Sequence, residues 1–213
     1  MERSQTPKGR RARDRILAAA ERLIAARGFH GTSMRDIAAA ARLPLATTVY
    51  HFAKKEQLYA AVLGAIADEL DARLQTAIRE RDGLDALAVA LVRWAAEEPG
   101  RVKLLLREVL DNPARVASAS RLPLAPFLER ASALVAERGA AMPEVAVLHL
   151  VGAISYVVAA RPTVERIVGT PRAKQILAGY EREAIAFARQ MLGVAPLVPP
   201  ALPTKRRVRT GAA

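Results

Sequence analysis

The 213-residue sequence contains no cysteine, so disulfide frameworks, thiolate metal sites and cysteine nucleophiles are excluded. Aromatic residues make up only 4% of the chain, which argues against stacked aromatic platforms for single-stranded nucleic acid. The most apolar stretch, residues 145–160, holds 16 uncharged residues, whereas a membrane span needs about 20. The charged N-terminus is not followed by an apolar run suited to a signal peptide. These features predict a cytoplasmic protein in which residues 145–160 form a buried helix, with no membrane partner.

Familiar catalytic signatures are missing from the sequence as well. It contains no G-x-S-x-G motif, phosphate loop or dinucleotide glycine fingerprint. The three histidines, His30, His51 and His149, lie far apart, and none belongs to an H-E-x-x-H zinc motif. We therefore predict that the protein is not an enzyme and has no catalytic residues, metal site or cofactor.

Positive charge is abundant and unevenly distributed. The net charge of the chain is +12. Residues 1–60 hold 12 Lys and Arg against 5 Asp and Glu, and residues 199–213 hold 4 basic residues and no acidic one. Residues 61–198 are nearly balanced, with 17 basic against 16 acidic residues. Basic ends around a neutral middle predict that one face binds a polyanion, which could be DNA, RNA or an anionic membrane.

The apolar periodicity is helical throughout, which predicts an all-α fold. A helix over 13–27 ends at Gly28. A short second helix, capped by Thr32 or Ser33, ends near residue 40 or 41, and Pro44 starts a third that ends near residue 50 or 51. Longer helices are predicted over 55–80, 84–97, 101–110, 124–138, 143–160 and 171–192, with 163–168 as a short extra turn. The two short helices after a longer one have the layout of a helix-turn-helix DNA reader.

The residues around this corner follow a fixed spacing over about 50 positions: Gly28-Phe29-x-Gly31-Thr32-Ser33-Met34-Arg35-x-Ile37-Ala38, Ala41-x-Leu43, Thr47, and His51-Phe52-x-x-Lys55-Glu56-x-Leu58. This pattern resembles the N-terminal domain of TetR-family repressors. The resemblance implies a dimeric regulator of transcription that binds a palindromic operator in double-stranded DNA. In that family a small molecule bound by the remaining helices releases the DNA, and most members are repressors.

Four segments follow from the pattern and the resemblance. Residues 1–11 are predicted to be a flexible basic arm and residues 12–56 an N-terminal three-helix DNA-binding domain. Residues 57–193 are predicted to form a helical ligand-binding and dimerisation domain, and residues 194–213 a proline-rich basic tail. Two apolar helices per chain, 143–160 and 171–192, could build a four-helix interface between two copies.

Nine residues match positions that contact DNA in the family or offer suitable chemistry: Thr32, Ser33, Arg35, Leu45, Ala46, Thr47, Tyr50, His51 and Lys55. The first two lie at a helix N-terminus, where hydroxyls and free N–H groups bind phosphate. Arg35 could reach a guanine edge or a phosphate. The third helix would enter the major groove, and Lys55 would neutralise a phosphate.

The chain departs from the family pattern at three positions in this region. Arg42 stands where the family usually has glycine, so a left-handed backbone there would carry a modest penalty. Pro44 replaces a small capping residue. Val49 replaces a phosphate-binding tyrosine, with Tyr50 one residue later.

The effector itself is not encoded in a recognisable motif. Four large or polar-tipped residues of the second domain are candidates for the ligand pocket: Trp94, Phe127, His149 and Tyr156. Simple core packing is an alternative role for each of them. Two other readings of the whole chain stay open: a nucleoid-type protein that binds DNA non-specifically without a small-molecule ligand, and a protein of the membrane surface.

Overall fold

A computed structural model describes residues 6–79, 83–111, 122–137 and 139–191. The described residues form helices and connecting turns, as the periodicity predicts. In chain order the helices are α1 (Pro7–Arg27), α2 (Met34–Ala40), α3 (Leu45–His51), α4 (Lys55–Arg79), α5 (Gly83–Glu97), α6 (Pro99–Asp111), α7 (Ala125–Ala136), α8 (Pro143–Val168) and α9 (Thr170–Met191). The predicted tail at 194–213 and the first five residues of the predicted arm lie outside the described residues.

The N-terminal arm is shorter than predicted, because α1 already begins at Pro7. Thr6 caps this helix: its Oγ1 accepts a hydrogen bond from the Gly9 N–H, 3.3 Å away. Proline at the first helical position loses no hydrogen bond, since that N–H has no partner inside the helix. Residues 7–11 are therefore helical rather than part of a flexible arm, and the first helix spans 21 residues.

Helix α1 packs against α2, α3 and α4, and α2 packs against α3; these helices form the N-terminal domain. Its core is aliphatic, with Ile16, Ile24 and Ile37 completely buried, and Phe52 and Leu58 closing it from the α3–α4 side. Helix α4 then continues for 25 residues into the second domain, where it packs on α5 and α7. One rigid element therefore belongs to both domains.

The second domain consists of the rest of α4 with α5 to α9. Helix α8 packs against α5, α6, α7 and α9, and α9 also packs against α5. Helix α6 contacts α1 as well, so the two domains meet at α4 and at α6. The core includes Leu74, Leu87, Leu104 and Leu150, which are all 1% exposed or less.

Two expectations for the apolar helix at 143–160 are wrong. The helix does not stop before Pro162 but runs through it to Val168, so 163–168 is not a separate turn. Nor is the helix covered on all sides. It is long and apolar enough, by length and composition alone, to cross a membrane, yet only 22% of its most apolar window is buried in the single chain.

Candidate functional site

The corner between α2 and α3 is built by local capping. Ser33 Oγ accepts from the Asp36 N–H at 3.1 Å, and Asp36 Oδ2 accepts from the Ser33 N–H at 2.9 Å, which completes a capping box. The hydrogen bonds from the Ser33 hydroxyl and backbone N–H lower the pKa of the Asp36 carboxyl. Ser33 was predicted to bind phosphate; its side chain is exposed, but its hydroxyl already serves this cap.

The end of α2 explains how Arg42 replaces the usual glycine. Its φ is +53°, which is the left-handed conformation that glycine adopts most easily. The Leu43 N–H donates to Ala38 O and the Arg42 N–H donates to Ala39 O, both at 3.0 Å, which is the Schellman arrangement. The guanidinium of Arg15 on α1 donates to the carbonyls of Ala41 and Arg42. These bonds satisfy the helix end and offset the cost of a left-handed non-glycine residue.

Helix α3 presents one face to solvent and the other to the core. Thr48 is fully buried, and its Oγ1 has no hydrogen-bond partner within the described part of the chain. The predicted contact residues lie away from it. Leu45, Ala46 and Tyr50 are exposed, the last by 78%, whereas Thr47 and His51 are half-buried. Together with the exposed Arg35 on α2, they place six of the nine predicted DNA contacts at or near the surface of one helical corner.

Two residues predicted to contact phosphate serve the fold instead. Thr32 is 1% exposed, and its hydroxyl donates to the Gly28 carbonyl at 3.0 Å, so its side chain does not reach the surface. The ammonium of Lys55 donates to the carbonyls of Phe29 (2.8 Å) and Thr32 (3.0 Å) and lies 4.2 Å from the centre of the Phe29 ring. Both side chains hold the α1–α2 turn in place. Sequence spacing alone could not distinguish this structural role from contact with DNA.

Gly31 belongs to this turn for a steric reason. A Cβ built on Gly31 would lie 2.4 Å from the carbonyl oxygen of Arg27. Any side chain would force the backbone to move, and the turn that Thr32 and Lys55 clamp would move with it. The glycine of the sequence motif therefore maintains the position of α2 relative to α1.

A cavity of about 200 Å³ opens among α4, α5, α6, α7 and α8. Trp94 and Phe127, two of the four predicted ligand residues, line it and are 5% and 3% exposed. The other two predicted residues do not line this cavity. His149 and Tyr156 lie on the exposed outer side of α8, with Tyr156 72% exposed. Their size and polarity suggested a pocket, but the pitch of the helix turns them away from it.

An ion-pair cluster links the two domains and was not predicted. Arg101 Nε on α6 lies 2.8 Å from Glu21 Oε1 on α1, and the same guanidinium pairs with Glu69 on α4 and approaches Glu98 Oε2 at 3.8 Å. The hydrogen bond to Glu21 raises the pKa of Arg101 despite partial burial, so the charge is retained. The partners lie up to 80 residues apart in sequence, so no local signal could have identified the cluster.

Groups of His, Asp or Glu that could hold a metal ion do not occur in the described ranges. The described surface offers exposed apolar and hydroxyl groups on α3 and a partly open apolar cavity in the second domain.

Comparison with known proteins gives three results. Residues 16–62 match the family model of bacterial regulatory proteins of the tetR family. No curated protein matches the chain. Solved structures similar to the chain include a regulator assigned to the TetR family from Mesorhizobium loti, at 24% identity over 91% of this chain and 100% of that chain, with a TM-score of 0.60.

Two further structures resemble the chain. A TetR-like transcriptional regulator from Rhodococcus sp. RHA1 is 22% identical over 89% of this chain and 95% of its own, with a TM-score of 0.60. AibR, solved in complex with isovaleryl coenzyme A and operator DNA, is 19% identical over 81% of this chain and 97% of its own, with a TM-score of 0.59. The N-terminal helices of this chain thus match the model of the tetR family, and the described helices together have the fold of these solved regulators.

Proposed function

We propose that the protein is a homodimeric transcriptional regulator that binds a palindromic operator through α3 and is released by a small molecule bound in its second domain. Repression is the expected mode because the family mostly works that way, and the expected location is the cytoplasm. The observation that carries the proposal is the two-sided α3. Its buried Thr48 anchors the helix, while Leu45, Ala46 and Tyr50 project from the opposite side.

The exposed side of α3 favours a particular kind of DNA contact. Leu45, Ala46 and Val49 offer apolar surface, which packs against the methyl groups of thymine. Tyr50 and Thr47 offer hydroxyls for base edges or phosphates. An operator with thymines at the centre of each half-site would suit this surface.

A second copy is proposed to cover the exposed apolar surface of α8 and α9. Leu148 (59%), Tyr156 (72%) and Ile176 (40%) are large hydrophobic residues open to solvent in the single chain. A monomer would leave this surface in water, and a two-fold interface would bury it twice. A dimer also provides two readers, which must lie about 34–36 Å apart to meet successive major grooves.

The contacts of α6 support a route from the cavity to the DNA-binding domain. Val102, Leu105 and Leu106 of α6 line the cavity, and Arg101, one residue before them, pairs with Glu21 on α1. A ligand that favours a shifted α6 would therefore displace α1 and the corner attached to it. The size of the response equals the difference in ligand affinity between the two arrangements. AibR, which binds both isovaleryl coenzyme A and operator DNA, supports the pairing of these functions on one fold.

The experiment is a DNA-binding titration with the full-length protein. A palindromic duplex, obtained by selection from random DNA, is compared with a scrambled duplex across a range of salt concentrations. We expect the palindrome to bind at least about 1,000-fold more tightly than the scramble. Tyr50→Ala and Thr47→Ala should change the preferred sequence, whereas Ile78→Ala, an exposed residue of α4 outside the corner and outside the proposed dimer surface, should leave the preference unchanged.

Equal affinity for both duplexes would favour the alternative, a nucleoid-type protein whose binding depends on charge alone. No change in preference with either α3 variant would show that α3 is not the reader. The change in affinity with salt concentration separates specific from non-specific binding. Specific contacts to the palindrome persist at salt concentrations where purely electrostatic binding is lost.

A further inference from the structure

An open groove lies where the two domains meet, between α1 and α6, with α8 at its edge. Its volume is about 670 Å³, which is within the range of small-molecule sites. Three of the residues that line it are cations: Arg22 on α1, and Lys103 and Arg107 on α6. The rest of its described lining is alanine, glycine and leucine, so the described walls of this interdomain groove carry positive charge and no carboxylate.

Helical spacing and helix packing bring these cations together. Gly100, Lys103, Arg107 and Leu110 lie three or four residues apart along α6, so they share one face of that helix. Helix α1 packs against α6, which places Arg22 on the opposite wall. Each cation is an ordinary surface residue in the sequence, and only the packing of the two helices directs all three to one groove.

Carboxylates close to these cations in sequence are engaged elsewhere. Glu21, the neighbour of Arg22, pairs with Arg101, and Glu98 approaches the same guanidinium. Arg22 and Lys103 are exposed, and neither has an ion pair or a side-chain hydrogen bond to another residue that the structure describes. Like charges on facing walls repel each other, so an anion between them would replace repulsion by attraction.

The groove also offers apolar surface beside its charges. Leu110 is 73% exposed at one end of the lining, and Leu106 is half-buried between the cations of α6. An inorganic anion would leave these side chains in water, whereas an anion with a short alkyl group would cover them. Guanidinium groups bind phosphate through two parallel hydrogen bonds, and three cations match the double charge of a phosphate monoester better than the single charge of a carboxylate.

We propose that the interdomain groove binds a soluble organic phosphate monoester with a short apolar group. Arg22 and Lys103 contact the phosphate from opposite walls, and Leu106 and Leu110 pack against the apolar group. The groove is a second site beside the apolar cavity of the second domain, and its occupation does not depend on the proposed function. Because α1 belongs to one domain and α6 to the other, the bound ester contacts both domains.

Calorimetric titration of the full-length protein tests the ligand class with three probes: n-hexyl phosphate, n-hexanoate and inorganic phosphate. We expect n-hexyl phosphate to bind at least about tenfold more tightly than inorganic phosphate, since the burial of about two methylene groups supplies that difference. Hexanoate, with the same chain length and one negative charge, should bind more weakly than the ester. Equal affinity for all three probes would overturn the proposed ligand class.

Four variants at exposed or half-buried positions locate the binding site. Arg22→Gln and Lys103→Gln should each weaken hexyl phosphate binding about three- to tenfold, because each removes one charged hydrogen-bond donor in contact with solvent. Leu110→Ser should weaken hexyl phosphate but not inorganic phosphate. Arg79→Gln is the matched control, because Arg79 is an exposed arginine at the end of α4, outside the groove, and it should leave all affinities unchanged.

Unchanged ester affinity in both Arg22→Gln and Lys103→Gln would place the ester elsewhere and overturn the site. Two other sources of phosphate are tested with the same variants. Co-sedimentation with phosphatidic acid vesicles that depends on Arg22 and Lys103 would assign the groove to a lipid headgroup instead of a soluble ester. A weaker salt dependence of duplex binding in the two variants would show that these cations contact DNA, which would also overturn the inference. We expect neither result.

Discussion

Lys55 lies in the first turn of α4, and two backbone carbonyls of the α1–α2 turn hold its ammonium group. Its position in the sequence motif is equally compatible with phosphate binding, because a lysine near a reader helix commonly neutralises DNA. The observed hydrogen bonds to Phe29 and Thr32 show instead that its charge satisfies carbonyls left free by the turn. The residue therefore positions the corner between α1 and α2.

We predict that Lys55→Met destabilises the protein by about 1.5–3 kcal/mol, since two hydrogen bonds from a charged donor are lost. Urea unfolding followed by circular dichroism measures the change in the free energy of unfolding. Lys54→Met is the matched control, because Lys54 is exposed and should change stability by less than about 0.5 kcal/mol. Equal effects of the two variants would show that the carbonyl contacts of Lys55 contribute little.

Thr32 and Thr48 show that hydroxyl side chains near the corner can also belong to the core of the fold. Both are polar residues of the reader corner and both are buried, at 1% and 0% exposure. Thr32 satisfies its hydroxyl with the Gly28 carbonyl, and Thr48 fills the core beneath α3. A threonine in a DNA-binding motif can thus be part of the core, and only its burial distinguishes this role from DNA contact.

Helix α8 continues through Pro162, although proline lacks the N–H that would bond to the carbonyl of residue 158. Proline inside a helix costs about 3 kcal/mol through the lost bond and the crowding of that carbonyl. Residues 161–168 are exposed or half-buried, and Arg161 Nε lies 3.1 Å from Glu165 Oε1 on the far side of the proline, one contact that favours the continued helix. The prediction that the helix would end before Pro162 used the local effect of proline alone, and it is wrong.

Tyr180 connects α9 to α8, and its hydrogen bond gives a pH-dependent prediction. The hydroxyl donates to the Ala153 carbonyl at 3.0 Å, and burial raises the pKa of this phenol above 10.0. The folded state therefore holds the proton at pH values where the unfolded chain has lost it. The stabilisation is complete below pH 10 and declines as pH rises through the folded pKa.

We predict that Tyr180→Phe lowers stability by about 1 kcal/mol at pH 8, and that the difference from the unaltered protein narrows as the pH is raised above 10. Unfolding in urea at pH 8, 9, 10 and 11 measures both proteins side by side, so the titration of other groups cancels in the difference. A difference that stays constant across this range would contradict the assignment of the shift to Tyr180.

The whole molecule exposes an apolar surface on α8 and α9 that a single chain leaves uncovered. Gly152 lies on the exposed side of α8, and a Cβ built there meets no atom within 4 Å. A side chain at this position is therefore compatible with the folded monomer. In the proposed dimer it would enter the interface between the two copies.

We predict that Gly152→Arg leaves the helical content unchanged and weakens self-association about tenfold or more, equivalent to ~1.4 kcal/mol. Sedimentation velocity over a range of protein concentrations measures the dissociation. Gly100→Arg is the matched control, because Gly100 is also an exposed helical glycine with open space around it, but on α6. A Gly152→Arg protein that sediments like the unaltered one would place the dimer interface elsewhere.

Sequence patterns predicted the features that depend on neighbouring residues. The periodicity of apolar positions indicated the helices, and Thr32 or Ser33 was expected to cap α2, which Ser33 does. Caps and helical faces involve residues three or four positions apart, so the chain encodes them locally. The same patterns were sufficient to identify the α2–α3 corner and its resemblance to the TetR family.

Long-range packing determines the features that patterns of neighbouring residues did not predict. Three features depend on helices far apart in the sequence: the hydrogen bonds that Lys55 donates to the α1–α2 turn, the outward direction of His149 and Tyr156, and the pairing of Arg101 with Glu21. Such contacts form only when the helices meet in one particular arrangement, and no short window of sequence contains both partners. Which polar residues bind a ligand and which hold the fold is therefore a property of the packed molecule.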